Sequence, residues 1–310
     1  MATPRKQTST SSVIIYEPAD GVDYTRALAG SERPGMMAVT GMAIMLLSMY
    51  FLSPIISSAV NGIGWLLRGK PGSFGDFQAT ANAFGHPEGV LASFLAIASF
   101  IGIAVLAMRF VHRQSPQWLA SVQPGMRWRY LAIVAVVAAV VFNIVYWATS
   151  GRTDFHWAPP PNVWVYVAII VLVGPLQAAG EEYFFRGYLQ QLVGAVLTQR
   201  WIVVVVSALL FTATHGTQNL PLLVDRFVFG ALLGALVVMT GGLEAAIAMH
   251  AVNNIFAFGY PALSGTLTDA RAISEVGWGT AGANILAYVV IAGLAWLIGR
   301  AMRVATTTPK

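Results

Sequence analysis

LAIVAVVAAVVFNIVYWATS, residues 131–150, contains no Asp, Glu, Lys or Arg. An α-helix rises about 1.5 Å per residue, so a segment of about 20 apolar residues crosses the roughly 30 Å hydrocarbon core of a bilayer. A soluble globule has no use for so long an uncharged run. The rest of the chain fits the same solvent: of 310 residues 56% are hydrophobic and 10% charged, against about 25% charged in ordinary soluble domains. Thirteen acids and eighteen bases cannot clothe a water-facing exterior of this size. The sequence therefore predicts an all-α, polytopic transmembrane helix bundle.

Working outward, clear apolar segments also occupy Met36–Val60, Val90–Met108 and Ala281–Ile298. A longer apolar region with interruptions divides into Trp164–Leu192, Trp201–Gly216, Phe227–Thr240 and Leu243–Tyr260, which brings the expected total to about eight spans. The positive-inside rule orients them. With the N-terminus in the cytoplasm, thirteen of the eighteen Lys and Arg residues fall on the cytoplasmic side, against Arg68, Lys70, Arg152, Arg226 and Arg271 opposite. Both termini are accordingly expected inside. The net charge of +5 sits in short clusters between spans, which fits a membrane surface and no nucleic-acid partner. The absence of cysteine excludes disulfides, thiolate metal sites and a cysteine nucleophile.

The expected organisation has four parts. Residues 1–33, polar and rich in Ser and Thr, read as a disordered cytoplasmic tail. Residues 34–160 hold the N-terminal spans, 161–262 the polar-bearing core, and 263–310 a loop, the last span and a tail. The first apolar core lies too far from Met1 for a cleaved signal peptide, so it is expected to remain as an anchor.

The exceptions to lipid compatibility carry the functional information. An ionisable group at mid-span costs about 2.5–3.5 kcal/mol on insertion scales, so it is seldom without a task. Three segments carry such groups: Glu181, Glu182 and Arg186; then His215; then His250, Asn253 and Asn254. Glu182 and Arg186 are four apart with the acid first, the favourable order for a helical ion pair. Glu181 points about 100° away, without a local partner of that kind. His250 and Asn254 share one helix face, and Phe211 precedes His215 by one turn, while Asn253 is expected to face elsewhere. Taken singly, a membrane histidine or asparagine can be plain helix–helix glue. Two acids, two histidines and an amide from three spans point to a shared site. His86, His112 and His156 are expected to be solvated in connections. Asp76, Glu88, Asp225 and Arg226 are read as polar-loop residues without partners.

Glu181-Glu182-x-x-x-Arg186, Phe211-x-x-x-His215 and His250-x-x-x-Asn254, in that order, resemble the three motifs of the CAAX-protease and bacteriocin-processing family of intramembrane proteases. Type II CAAX prenyl endopeptidases are its best-known branch. The resemblance covers about Trp164 to Tyr260. It implies an endopeptidase in which Glu181 activates water, His215 helps hold that water, and His250 and Asn254 donate to the tetrahedral oxyanion. Glu182 and Arg186 would brace the motif helix as structural support. It also implies a peptide or membrane-protein substrate, possible lipidation at the substrate's C-terminus, contact with membrane lipid, and placement in the plasma membrane of a bacterium.

No cofactor is expected. The competing zinc reading would use Glu181, His215 and His250, and leaves Asn254 idle because a neutral amide is a poor zinc ligand. His-Glu-x-x-His and Gly-x-Ser-x-Gly signatures are missing from the sequence. Two further readings use the same polar cluster: a transporter, which should show broken helices repeated in two halves, and a non-catalytic immunity or scaffold protein.

Overall fold

The computed structural model describes residues 6–7, 15–28, 34–149, 153 and 155–310. Ten helices organise it. They are α1 (Gly35–Leu67), α2 (Phe74–Asn82), α3 (Pro87–Phe110), α4 (Trp128–Thr149), α5 (Val163–Leu172), α6 (Gly174–Val196), α7 (Arg200–Ala213), α8 (Leu220–Thr240), α9 (Glu244–Ser264) and α10 (Trp278–Ala301). Two-residue strands, β1 (Lys6–Gln7) and β2 (Ile15–Tyr16), pair antiparallel beside them. The all-α polytopic bundle is thus what the sequence folds into.

Each of the eight apolar segments is helical over most of its described length. Five helices are long and apolar enough to cross a membrane, and the bent pair α5–α6 makes a sixth. The other two fall short for different reasons. α7 has 14 residues, about 21 Å of helix, and α9 is long but diluted by Glu244, His250, Asn253 and Asn254. The 40° bend between α5 and α6 has a local cause. Pro175, in the first turn of α6, lacks an N–H, and its ring collides with a carbonyl one turn back.

α9 is the central helix. Every residue from Glu244 to Val252 is buried, and four of those nine, Ala245, Ala246, Ala248 and Met249, have essentially no exposure. Such narrow side chains let neighbouring helices approach closely, and α9 packs on α4, α5, α6 and α8. Outward-facing Leu46, Phe51, Val136, Ile144, Ile202, Leu209 and Leu297 stay exposed, as a lipid-facing surface requires.

The connections sort into two ends. At one, Tyr16 N donates to Arg113 O (2.8 Å), Arg26 Nη1 to Gly194 O (2.6 Å), Val122 N to Gly241 O (2.8 Å), Arg127 Nη1 to Ala305 O (3.1 Å) and Thr308 N to Val22 O (2.9 Å). At the other, Arg68 pairs with Glu88 (2.8 Å), Ala158 N donates to Leu263 O (3.2 Å) and Asn219 Nδ2 to Val276 O (2.8 Å). The segments grouped at the first end are those assigned to one membrane face by their Lys and Arg content. Residues 15–28 and the segment after α10 therefore meet on the same side of the bundle.

Three expectations need correction. Of the tail 1–33, residues 1–5, 8–14 and 29–33 lie outside the described residues, but 15–28 are packed: Tyr24, Ala27 and Leu28 are buried and Tyr24 Oη bonds Leu119 O. A few apolar side chains in a polar stretch suffice when a helix-end surface awaits them. His112 is buried, with Nε2 2.8 Å from Tyr188 Oη, and burial pushes its pKa down to about 4. Glu88, Asp225 and Arg226 belong to helices, and Asp225 is buried, accepting from Asn284 Nδ2 at 2.8 Å. α8 begins seven residues before Phe227 because Asn219 caps it, accepting from Leu222 N, with Pro221 in its first turn.

Candidate active site

The site lies where α6, α8, α9 and the end of α7 converge. α6 reaches it by an unusually close crossing: a Cβ on Gly180 would stand 2.3 Å from the Ile97 carbonyl oxygen of α3, so only glycine lets the next residue, Glu181, sit at that depth. Directly after it, residues Glu182–Leu189 adopt π-helical hydrogen bonding. Such i→i+5 turns relax the ordinary ladder and are frequent at functional sites. A tight turn at Gly241, whose φ of +68° suits glycine, then sends the chain from α8 into α9.

The two adjacent glutamates occupy different surroundings. Glu182 is fully buried, and its Oε1 accepts from Arg186 Nη1 at 2.9 Å and from His250 Nδ1 at 2.6 Å. Arg186, equally buried, finds no partner for Nε or Nη2. Instead its guanidinium lies over the Phe211 ring, 4.1 Å from the centroid, where the ring's negative face offsets part of the charge. Glu182 therefore braces Arg186, as expected, and also fixes His250. Its carboxylate, which accepts from Arg186, requires a proton on Nδ1 of the imidazole. That orients Nε2 toward Glu181 Oε2, 3.6 Å away.

Glu181 is 14% exposed where Glu182 shows none, so of the two only Glu181 can meet water or substrate. It does have a local partner. Gln177, one turn earlier, donates from Nε2 to Glu181 Oε1 at 2.7 Å, while its Oε1 accepts from Asn254 Nδ2 at 2.8 Å. Buried Gln177 thus joins the first motif to the third, a residue that sequence reasoning missed although its i−4 spacing from Glu181 was readable. Asn253 turns toward the same network and donates to Asn254 Oδ1 at 3.1 Å.

His215 stands just beyond the end of α7, half-buried, with Nδ1 2.8 Å from Phe211 O. A carbonyl only accepts, so Nδ1 carries the proton and Nε2 is left as an acceptor. The Phe211 ring contacts both histidines, at centroid distances of 4.6 Å to His215 and 6.2 Å to His250. The two histidines therefore share a level even though they lie at different residue counts from their helix starts. Phe229 closes the wall, 5.2 Å from His250.

Among the described residues no three His, Asp or Glu side chains are gathered for a metal ion.

Comparison with known proteins concerns the same stretch of the chain. Residues 160–256 match the Rce1-like family of type II CAAX prenyl endopeptidases. A curated relative, the uncharacterized protein YyaK of Bacillus subtilis strain 168, is 24% identical over 166 residues, covering 49% of this chain. The match spans about half the length of that relative, 54%. No solved structure matches the chain. With its apolar helices, the chain is an integral, multi-pass membrane protein, and residues 160–256 form an Rce1-like domain of the type II CAAX prenyl endopeptidase family.

Proposed function

We propose that the protein is an intramembrane endopeptidase that hydrolyses peptide bonds of membrane-associated substrates, including lipid-modified ones, with Glu181 as the base that activates water. The observation that carries this is the asymmetry of the glutamates: one carboxylate is sealed against Arg186 and His250, and its neighbour is partly open and held by Gln177.

In this mechanism a water between Glu181 and His215 gives its proton to Glu181 while His215 Nε2 accepts its second hydrogen. The oxygen attacks the scissile carbonyl. Negative charge collects on the carbonyl oxygen, where His250, through Nε2–H, and Asn254, through its remaining amide hydrogen, donate to it. Glu181 then returns the proton to the departing amine, so the base of the first half is the acid of the second. Glu182 is a positioning residue for His250, in the manner of a carboxylate that fixes a catalytic imidazole. The end of the bundle that gathers residues 15–28 and the segment after α10 faces the cytoplasm of a bacterium in this reading, because it carries most Lys and Arg residues.

The test is direct. Purified protein in nanodiscs is incubated with a prenylated CAAX peptide and with unprenylated membrane peptides, and products are mapped by mass spectrometry. Cleavage at one bond, lost in Glu181→Ala, is expected. A transporter or scaffold would cleave neither substrate.

A further inference from the structure

Four polar side chains at the site form one file. Asn253 Nδ2 donates to Asn254 Oδ1 at 3.1 Å, Asn254 Nδ2 to Gln177 Oε1 at 2.8 Å, and Gln177 Nε2 to Glu181 Oε1 at 2.7 Å. An amide can be turned end for end, but an ionised carboxylate only accepts. Glu181 therefore fixes the first link: the NH2 end of Gln177 faces it, and the oxygen end of Gln177 faces Asn254. That oxygen requires the NH2 end of Asn254, whose own oxygen requires the NH2 end of Asn253. One charge thus sets the direction of three neutral amides, and bonds aligned in this way strengthen one another. The file ends on Asn253 Oδ1. Among the described residues nothing donates to that oxygen, and it is not one of the sealed polar atoms. Asn253 is half-buried, as Asn254 is, so the file presents a fixed, open acceptor beside Asn254.

Given the endopeptidase reading above, on which this inference rests, Asn254 meets the scissile carbonyl, and Asn253 meets what lies beside it. In an extended peptide that neighbour is a backbone N–H, since each residue advances the chain by only about 3.3–3.6 Å. A backbone N–H brought into a poorly solvated site without an acceptor carries the full cost of an unpaired donor. We propose that Asn253 is a substrate-binding residue whose Oδ1 accepts a backbone N–H next to the scissile bond, held in that orientation by Glu181 through Gln177 and Asn254. Every residue except proline carries that N–H. The contact is therefore indifferent to the side chain at its position and excludes proline there.

The probes are a prenylated CAAX peptide and a set of analogues in which each backbone amide in turn is replaced by an ester, which exchanges its N–H for an oxygen. Binding is measured on His215→Ala protein in nanodiscs, a variant that leaves all four members of the file in place, and cleavage on wild type. One ester position is expected to weaken binding about three- to tenfold, the worth of one hydrogen bond, and proline at that position should bind no better than the ester. In an Asn253→Leu or Asn253→Ala background that penalty should vanish while the other ester positions keep theirs. Gln177→Leu, which frees the two asparagine amides to turn, should shrink it. A set in which no ester position stands out overturns the proposal, as does a penalty that loss of the Asn253 amide leaves unchanged. A penalty that survives Gln177→Leu in full overturns the part assigned to Glu181. Because binding is read without turnover, failure of the protease reading shows separately, as no cleavage of any of these peptides by wild type.

Discussion

Glu182 and Glu181 are adjacent in sequence and belong to two different regions of the molecule. The first sits in a sealed cluster with Arg186, His250 and the Phe211 ring. The second sits at a partly open rim with Gln177, Asn254 and His215. The difference teaches how one helix carries both a brace and a base. A buried charge is tolerable only when paired, so the sealed acid is committed to structure. An acid kept by one neutral amide, with its other oxygen at the open rim 3.6 Å from His250 Nε2, keeps its chemistry.

The comparison is broken most severely from the sealed side. Glu182→Leu leaves Arg186 charged and unpartnered in the core, which should cost about 3–5 kcal/mol. In detergent this should appear as a large fall in the unfolding temperature or failure to recover folded protein. Glu182→Gln should lose both stability and turnover, because Arg186 and His250 give up the same carboxylate. A Glu182→Gln protein that is stable and active would show that the sealed cluster is not a brace.

Gln177→Leu acts on the rim. Each of Glu181 and Asn254 loses one hydrogen bond, worth about 1–1.5 kcal/mol, so turnover should drop about tenfold with little change in unfolding temperature. Turnover unaffected by Gln177→Leu would mean that the first and third motifs are positioned independently.

The smallest effect lies outside the sealed cluster, at His112 and Tyr188. His112 is held neutral, its pKa lowered to about 4 by burial, whereas an unfolded histidine titrates near 6.5. Between these values the unfolded chain binds more protons than the folded one, so stability should be full above about pH 6.5 and decline toward pH 4. A His112→Phe variant should flatten that decline relative to wild type in thermal scans across this range. An unchanged pH profile would remove His112 as a contributor.

How much of this was legible in the sequence follows from what signals compete. The apolar segments and the three motifs stand out because charge in lipid is costly, and all of them were found. Gln177 was not, since a lone amide in a span reads as helix–helix glue until a partner is seen. Arg226 was read as a loop residue because the polar stretch before Phe227 hides a helix start, although Asn219 as cap with Pro221 behind it signals one. Residues 15–28 and His112 were misread for a shared reason: polarity in the sequence does not report a surface supplied by distant helix ends.

The central claim is that Glu181, and not its neighbour, activates water. The measurement is single-turnover cleavage of a prenylated CAAX peptide by Glu181→Gln in nanodiscs, with peptide binding and unfolding temperature read on the same preparation. Folded protein that binds peptide as wild type does, and cleaves at least about a hundredfold more slowly, the lower end of the range for a lost general base, is the predicted result. Cleavage within a few-fold of wild type by that variant would contradict the account.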